Sequence, residues 1–189
     1  QAITVAQGGF LSDGTVAIGL NALKYCTTGH GNLAMGAGAL HNHTTGSRNI
    51  AIGYGAMDGS GGATVLDSDD NVFMGYDAGG GTWTTAKSEF NVGIGNSVMD
   101  AAMNGADYNT AVGYSALGAL TTGDQNVTVG AATMTALTTG QYNISMGVSS
   151  LESNVSSNFN TALGHGAGSQ TTGGNNTYVG AVAGNAITT

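Results

Sequence analysis

The sequence predicts an all-β protein, a parallel β-solenoid of about ten coils with a base period of 17 residues, on three observations. A five-residue motif recurs ten times along 189 residues. Each copy alternates apolar and small side chains in the manner of a short strand. Glycine supplies 34 residues and proline none, so corners are plentiful and nothing interrupts a strand ladder.

The template is Asn32-Leu33-Ala34-Met35-Gly36. Copies start at residues 15, 32, 49, 71, 91, 109, 126, 143, 160 and 176, at intervals of 17, 17, 22, 20, 18, 17, 17, 17 and 16. Nine of the ten open on asparagine: Asn32, Asn49, Asn71, Asn91, Asn109, Asn126, Asn143, Asn160 and Asn176. Thr15 stands in the first. All ten close on glycine: Gly19, Gly36, Gly53, Gly75, Gly95, Gly113, Gly130, Gly147, Gly164 and Gly180. The second position is aliphatic in seven copies and threonine in three, the fourth is always aliphatic or methionine, and the third is mostly small. Period-2 alternation puts the second and fourth side chains on one face, so each copy contributes a strand.

After the glycine come two variable residues and then, usually, alanine followed by leucine or methionine, as in Ala22-Leu23, Ala39-Leu40, Ala56-Met57 and Ala116-Leu117. Five coils end in Thr-Thr-Gly, at 27–29, 44–46, 121–123, 138–140 and 171–173, where the glycine suits a positive φ at a corner. Seventeen residues are expected to hold two short strands and two tight turns. They are too few for a βαβ unit of about 30 residues, and a helical repeat would not tolerate this much glycine.

Stacked coils place asparagine over asparagine, whose amides can bond along the axis as a ladder. Ten coils at roughly 4.8 Å make a rod about 50 Å long. Residues 15–189 form the repeat domain, and 1–14, through Ala2, Ile3, Thr4, Val5 and Ala6, read as a degenerate leading coil. Each coil buries few side chains, so lateral packing against identical chains is expected. The small third-position residues and the alanine after each glycine would let three chains approach around an axis. The ends carry no polar cap, so stacking end to end or against further domains is expected, and an opening at Gln1 suggests processing or excision from a longer chain.

Charged residues are 7% and apolar residues 41%, with 3 Lys and Arg against 11 Asp and Glu, a net charge of −8. That excludes the disorder signature and argues against nucleic acid or anionic membrane as a partner. No apolar run approaches the ~20 residues of a spanning helix, so membrane insertion is not expected. The lone Cys26 can form neither an internal disulfide nor a thiolate metal pair and reads as a small buried hydrophobe.

Asn-x-Ala-Ile-Gly followed by x-x-Ala resembles the head repeats of trimeric autotransporter adhesins of the YadA type. The 17-residue form, as in Asn109-Thr110-Ala111-Val112-Gly113-Tyr114-Ser115-Ala116-Leu117 with a later Thr-Thr-Gly, resembles repeats of bacteriophage tail fibres. The likeness covers residues 15–184, and the coil is longer than the adhesin one. It implies a left-handed parallel β-roll, assembled as a homotrimer, that serves as a shaft or receptor-contacting head in a virion tail fibre or at an extracellular cell surface.

Departures from the repeat point to function, since insertions in solenoids map to surface loops. Two adjacent coils carry them, at 58–70 and 79–90. These loops should lie side by side, and they hold the single tryptophan, Trp83, with Lys87 and the acidic cluster Asp67, Asp69 and Asp70. This is the expected receptor or glycan contact. The three aspartates offer oxygen ligands for Ca²⁺ as a secondary expectation, although their spacing matches no EF-hand loop. Tyr54, Tyr76 and Tyr114 follow the repeat glycine and should align in a stripe, interrupted by Asn96, suited to sugar contact or to packing between subunits. His41 and His43 fall on one side of an extended segment without a third ligand, so no zinc site is expected. Asn-x-Ser/Thr sequons such as Asn126-Val127-Thr128 are generated by the repeat itself. No nucleophile, base and orienting acid form a set, so the expected function is non-enzymatic: a fibre or adhesin segment contacting a host-surface receptor or glycan. Alternatives are a purely structural filament subunit and an ice-binding solenoid, the latter disfavoured because the strands lack a regular Thr-x-Thr array.

Overall fold

Each copy of the motif forms one three-residue strand. They are β1 (Val16–Ile18), β2 (Leu33–Met35), β3 (Ile50–Ile52), β4 (Val72–Met74), β5 (Val92–Ile94), β6 (Thr110–Val112), β7 (Val127–Val129), β8 (Ile144–Met146), β9 (Thr161–Leu163) and β10 (Thr177–Val179). The structure is a computed structural model that describes residues 14–60, 68–83 and 86–185; the leading coil at 1–14 therefore lies, apart from Gly14, outside the described residues. The strands pair in chain order as one ten-stranded parallel sheet. Second, third and fourth positions sit opposite their equivalents in every neighbouring coil, as Thr110, Ala111 and Val112 do against Val127, Thr128 and Val129. The result is a β-solenoid of about nine turns. No helix among the described residues is long and apolar enough to cross a membrane.

Among the described residues the expected second strand is not formed. Beyond the glycine the backbone returns to the left-handed region at every second residue: in the sixth coil at Gly113 (φ 142°), Ser115 (54°) and Leu117 (52°). Single left-handed residues curl an extended chain, so this side is a run of turns. The turns are still bonded from coil to coil, with Ser115 N–H donating to Asn96 O at 3.0 Å and Leu117 N–H to Thr133 O at 3.1 Å.

The inward residue of each strand is the third. Ala17, Ala34, Ala51, Ala111 and Ala162 are buried there, as are Ala39, Ala56, Ala78, Ala116 and Ala167 after the glycine. The expectation that these small residues line a gap between chains is therefore corrected: they line the inside of their own coil. A three-residue strand faces turns on the far side of a coil too narrow for two large layers, so one layer must be small. Large side chains come from the turns, as Leu117 and Leu120 do under Ala111.

Two coils reverse this division. In the fourth, Phe73 takes the inward strand position and Gly79 the place of leucine; a Cβ on Gly79 would sit 2.8 Å from the Phe73 ring, and one on Gly93 in the next strand 2.5 Å from it. In the tenth, Tyr178 occupies the space left by Gly168 and Gly184. In the seventh and eighth coils a buried hydroxyl pair joins the apolar core: Thr128 donates to Thr133, and Ser145 and Ser150 bond each other.

The asparagines form a continuous ladder from Asn32 to Asn176, buried from Asn32 to Asn160. The side-chain oxygen of Asn91 accepts both the backbone N–H of Asn109, at 3.0 Å, and its Nδ2, at 3.1 Å, while Asn109 Nδ2 also donates to Gly123 O at 2.8 Å. The same pair of bonds joins Asn49 to Asn32 and Asn176 to Asn160 at the two ends. The amides from Asn49 to Asn143 thus tie their own strand, the strand before it and the turn that closes the coil.

That last contact explains the Thr-Thr-Gly ending, and not in the way expected. Gly29, Gly46, Gly123 and Gly140 have no positive φ. A Cβ on any of them would instead overlap the carbonyl oxygen of the next coil, Gly46 O for Gly29 and Gly140 O for Gly123. Close approach of stacked backbones selects glycine there.

Candidate functional site

Because coils stack in register, every outward position becomes a stripe of side chains along the rod, and the candidate contact surfaces are these stripes. The broadest is the outer face of the sheet. With third positions turned in, second and fourth positions turn out: Val16, Met35, Met74, Ile94, Val127, Val129, Ile144, Met146, Leu163 and Val179 are large, apolar and exposed. Across twenty outward strand positions the sequence places seventeen aliphatic or methionine residues, three threonines and no charge.

The tyrosine stripe forms one turn further on. Tyr54 and Tyr76 are exposed and stacked, ring centroids 5.6 Å apart and planes within 9°. Asn96 fills the next place and accepts the Tyr76 N–H at 3.0 Å. Tyr114 stands beyond it, 64% exposed.

A further stripe, absent from the sequence reading, is made by the residue before each asparagine. It is left-handed in every coil, from Arg48 (φ 57°) and Asp70 (58°) through Phe90, Tyr108, Gln125, Tyr142 and Phe159 to Asn175 (63°). This conformation aims the side chains outward and lets like-shaped neighbours stack: Phe90 on Tyr108 at 4.9 Å and Tyr142 on Phe159 at 5.0 Å. The signal was present in the alignment of repeats, as an aromatic preceding Asn91, Asn109, Asn143 and Asn160.

The flanks of the two insertions lie side by side. Trp83 N–H donates to Gly59 O at 3.2 Å and Ser88 N–H to Ser68 Oγ at 3.1 Å. The contact residues expected there are placed differently. Trp83 is fully buried, edge-on to Phe73 at 5.8 Å, and its indole N–H donates to Gly79 O at 3.1 Å. Trp83 is therefore a core residue, packed against the Phe73 ring that takes the space left at Gly79, and not a surface contact. Lys87 is half exposed, 3.4 Å from Glu89.

Asp67 lies outside the described residues. Asp70 accepts a two-pronged bond from Arg48, Nε to Oδ1 at 2.6 Å and Nη2 to Oδ2 at 2.7 Å. That pairing holds the Asp70 carboxyl below its ordinary range and raises the Arg48 guanidinium further. Asp69 Oδ1 accepts the Ser47 N–H at 2.6 Å. Both carboxylates thus have partners in the chain itself, and among the described residues no three His, Cys, Asp or Glu side chains converge as a metal site.

Capping of this kind continues down the rod. Asp107 Oδ1 accepts the Glu89 N–H at 2.7 Å, and Asp124 Oδ1 the Asp107 N–H at 2.9 Å. Partial burial pushes the Asp107 carboxyl up; the Glu89 N–H offsets part of this and Asp124 adds to it.

His41 and His43 do not share a side. His43 is buried, its Nδ1 3.2 Å from Ser60 Oγ and its Nε2 3.2 Å from Asn49 Nδ2. His41 lies against Tyr25, centroids 5.2 Å apart. No family model, no curated protein and no solved structure matches this chain.

Proposed function

We propose that the chain is a non-enzymatic segment of a fibre or adhesin, assembled as a homotrimer through the outer face of its sheet and presenting its side-chain stripes to a host-surface receptor or glycan. The observation that carries this reading is the uncharged apolar sheet face. It is about 43 Å long, from nine spacings of ~4.8 Å, and about 10 Å wide, from three residues at ~3.3 Å. An unbroken apolar strip of this kind marks an interaction surface. A second and third copy suit it best, because chains with a net charge of −8 meet with least repulsion where neither carries charge. The YadA-type and tail-fibre repeats that the motif resembles point the same way.

Sedimentation equilibrium of the intact chain tests it: a mass of three chains is expected. Ile144→Glu together with Met146→Glu, both outward on β8, should shift the mass to one chain while the β circular dichroism persists. A wild-type monomer at all concentrations would refute the assembly. Failure of the wild-type trimer to bind any host cell would refute the receptor role and leave a purely structural filament.

A further inference from the structure

The tyrosine stripe opens into a groove at one place. Between the first and third coils the outward residue after the repeat glycine runs Leu20, Ala37, Tyr54. Tyr54 is covered on one side by Tyr76. On the other it faces the coil of Ala37, whose methyl leaves room up to Leu20, two coil spacings or about 10 Å away. A second stripe, four residues later in each coil, supplies His41 and Asp58. Between the stripes lie Asn21, Gly38 and Gly55. These residues line a cavity of about 230 Å³.

Its opening is a local feature of the sequence. The position of Gly38 and Gly55 holds Asp77, Ser97, Ser115, Ala132 and Ser149 in later coils, all left-handed. Two successive glycines remove that row of side chains only here. Tyr114, Ala131 and Val148 repeat the three residue types in reverse order, but with Ser115, Ala132 and Ser149 in the row, and with Gly118, Thr135 and Glu152 four residues on, no imidazole among them.

The chemistry of the lining is specific. Tyr54 offers one aromatic face, 62% of the residue being exposed. Asp58 brings a carboxylate acceptor, and Asp77 lies beyond it, close against Gly55. His41 is fixed by its stack on Tyr25, and its Nε2 is covered and has no hydrogen-bond partner.

We propose that this groove is a saccharide subsite that seats one uncharged hexopyranose unit on Tyr54, with ring hydroxyls bonded to Asp58 and with His41 as a wall of the groove. A pyranose has an apolar C–H face for the aromatic ring and hydroxyl donors for the carboxylate. The volume is below the ~300–1,000 Å³ of sites for larger ligands, which suits one unit of a longer chain. Two carboxylates disfavour acidic sugars, since like charges in one site repel. The inference rests on the receptor-contact reading above and gives it a place and a ligand class.

Saturation-transfer NMR of the intact chain tests it, with the methyl glycosides of glucose, galactose and mannose as probes and glucuronate as the anionic counterpart. At least one neutral glycoside should bind, with a dissociation constant on the order of 1 mM. Tyr54→Ala and Gly38→Ser should each weaken it at least about tenfold, and Val155→Ala, at an exposed turn residue of the eighth coil outside the stripes, should leave it unchanged. Serine occupies the Gly38 position in three other coils, so that variant keeps the fold; circular dichroism and sedimentation verify both. Absence of binding by all three glycosides, equal binding of glucuronate, or equal loss in Val155→Ala would overturn the proposal. If Gly38→Ser and Tyr54→Ala bind host cells as well as the wild type does, the groove is refuted while the fibre reading stands. Glycoside binding by a chain that stays monomeric supports the groove while the assembly fails.

Discussion

The coils around β6 to β8 and those around β3 to β5 build the same backbone from opposite materials. In the first region the intervals are uniform, the strand brings Ala111, Thr128 or Ser145 to the core, and the turns bring Leu117, Leu120, Met134 and Leu137. In the second the intervals stretch to 22 and 20 residues, the strand brings Phe73, whose ring takes the space left at Gly79, and Trp83 from the insertion packs edge-on to it. Register is nonetheless identical across both. What they share is the asparagine ladder and the repeat glycine, so the backbone is set by those and the core is free to redistribute its volume.

The sharpest way to break the comparison is to remove the shared part. Asn71→Ala and Asn109→Ala should be about equally destabilising, each on the order of 4 kcal/mol, because each strands buried N–H and C=O groups that cost ~1–3 kcal/mol apiece. Denaturant midpoints compare them; a cost confined to one region would show that the ladder does not govern both.

The next effect tests the exchange of volume. Phe73→Ala should cost about 3–5 kcal/mol, and Gly79→Leu should be strained against the intact Phe73 ring. The double variant restores the division seen at Ala111 and Leu117 and should cost less than the sum of the two, with a coupling of about 1–3 kcal/mol. Additive costs would mean that the two positions do not share one space.

The smallest effect is electrostatic and has opposite signs in the two regions. Asp70 has its folded pKa lowered by Arg48, so it contributes stability above the ordinary aspartate pKa that is lost as pH falls through the depressed value. Asp107 has its folded pKa raised by burial. The folded state then holds more protons than the unfolded one between the ordinary and raised values, so acidification through that window adds stability and rising pH removes it. Melting curves between neutral and acid pH should show Asp107→Asn losing the acid gain and Asp70→Asn losing part of the neutral plateau. The Asp70 effect should also fall with salt, as expected of an exposed pair.

The strands were legible because Asn and Gly recur at fixed places, and backbone contacts that admit only those residues leave them no freedom to vary. The facing of the strands was not. Period 2 separates Leu33 and Met35 from Ala34 without saying which side is in, and the larger, more apolar set lies outside. The second strand was misjudged because nothing in Tyr114-Ser115-Ala116-Leu117 announces left-handed residues that are not glycine. Trp83 read as a surface residue because it sits in an insertion; its place in the core is against Phe73, whose ring needs Gly79 and Gly93, glycines outside the repeat register. The groove at Tyr54 draws on three coils at once, and Gly38 and Gly55 looked like two more glycines among many.

A ladder built from identical asparagines at a 17-residue spacing has a degeneracy. Sliding one part of the rod past another by a whole coil puts Asn on Asn and Gly on Gly again, and only side-chain shape opposes it. Among uniform coils that opposition is weak. The Phe73, Gly79, Trp83 and Gly93 block fits in one alignment alone, so the irregular coils act as the index mark of the rod. Coils can be added or lost elsewhere by duplication or deletion, changing the length of the solenoid in steps of about 4.8 Å, while this block keeps every other coil in its own place.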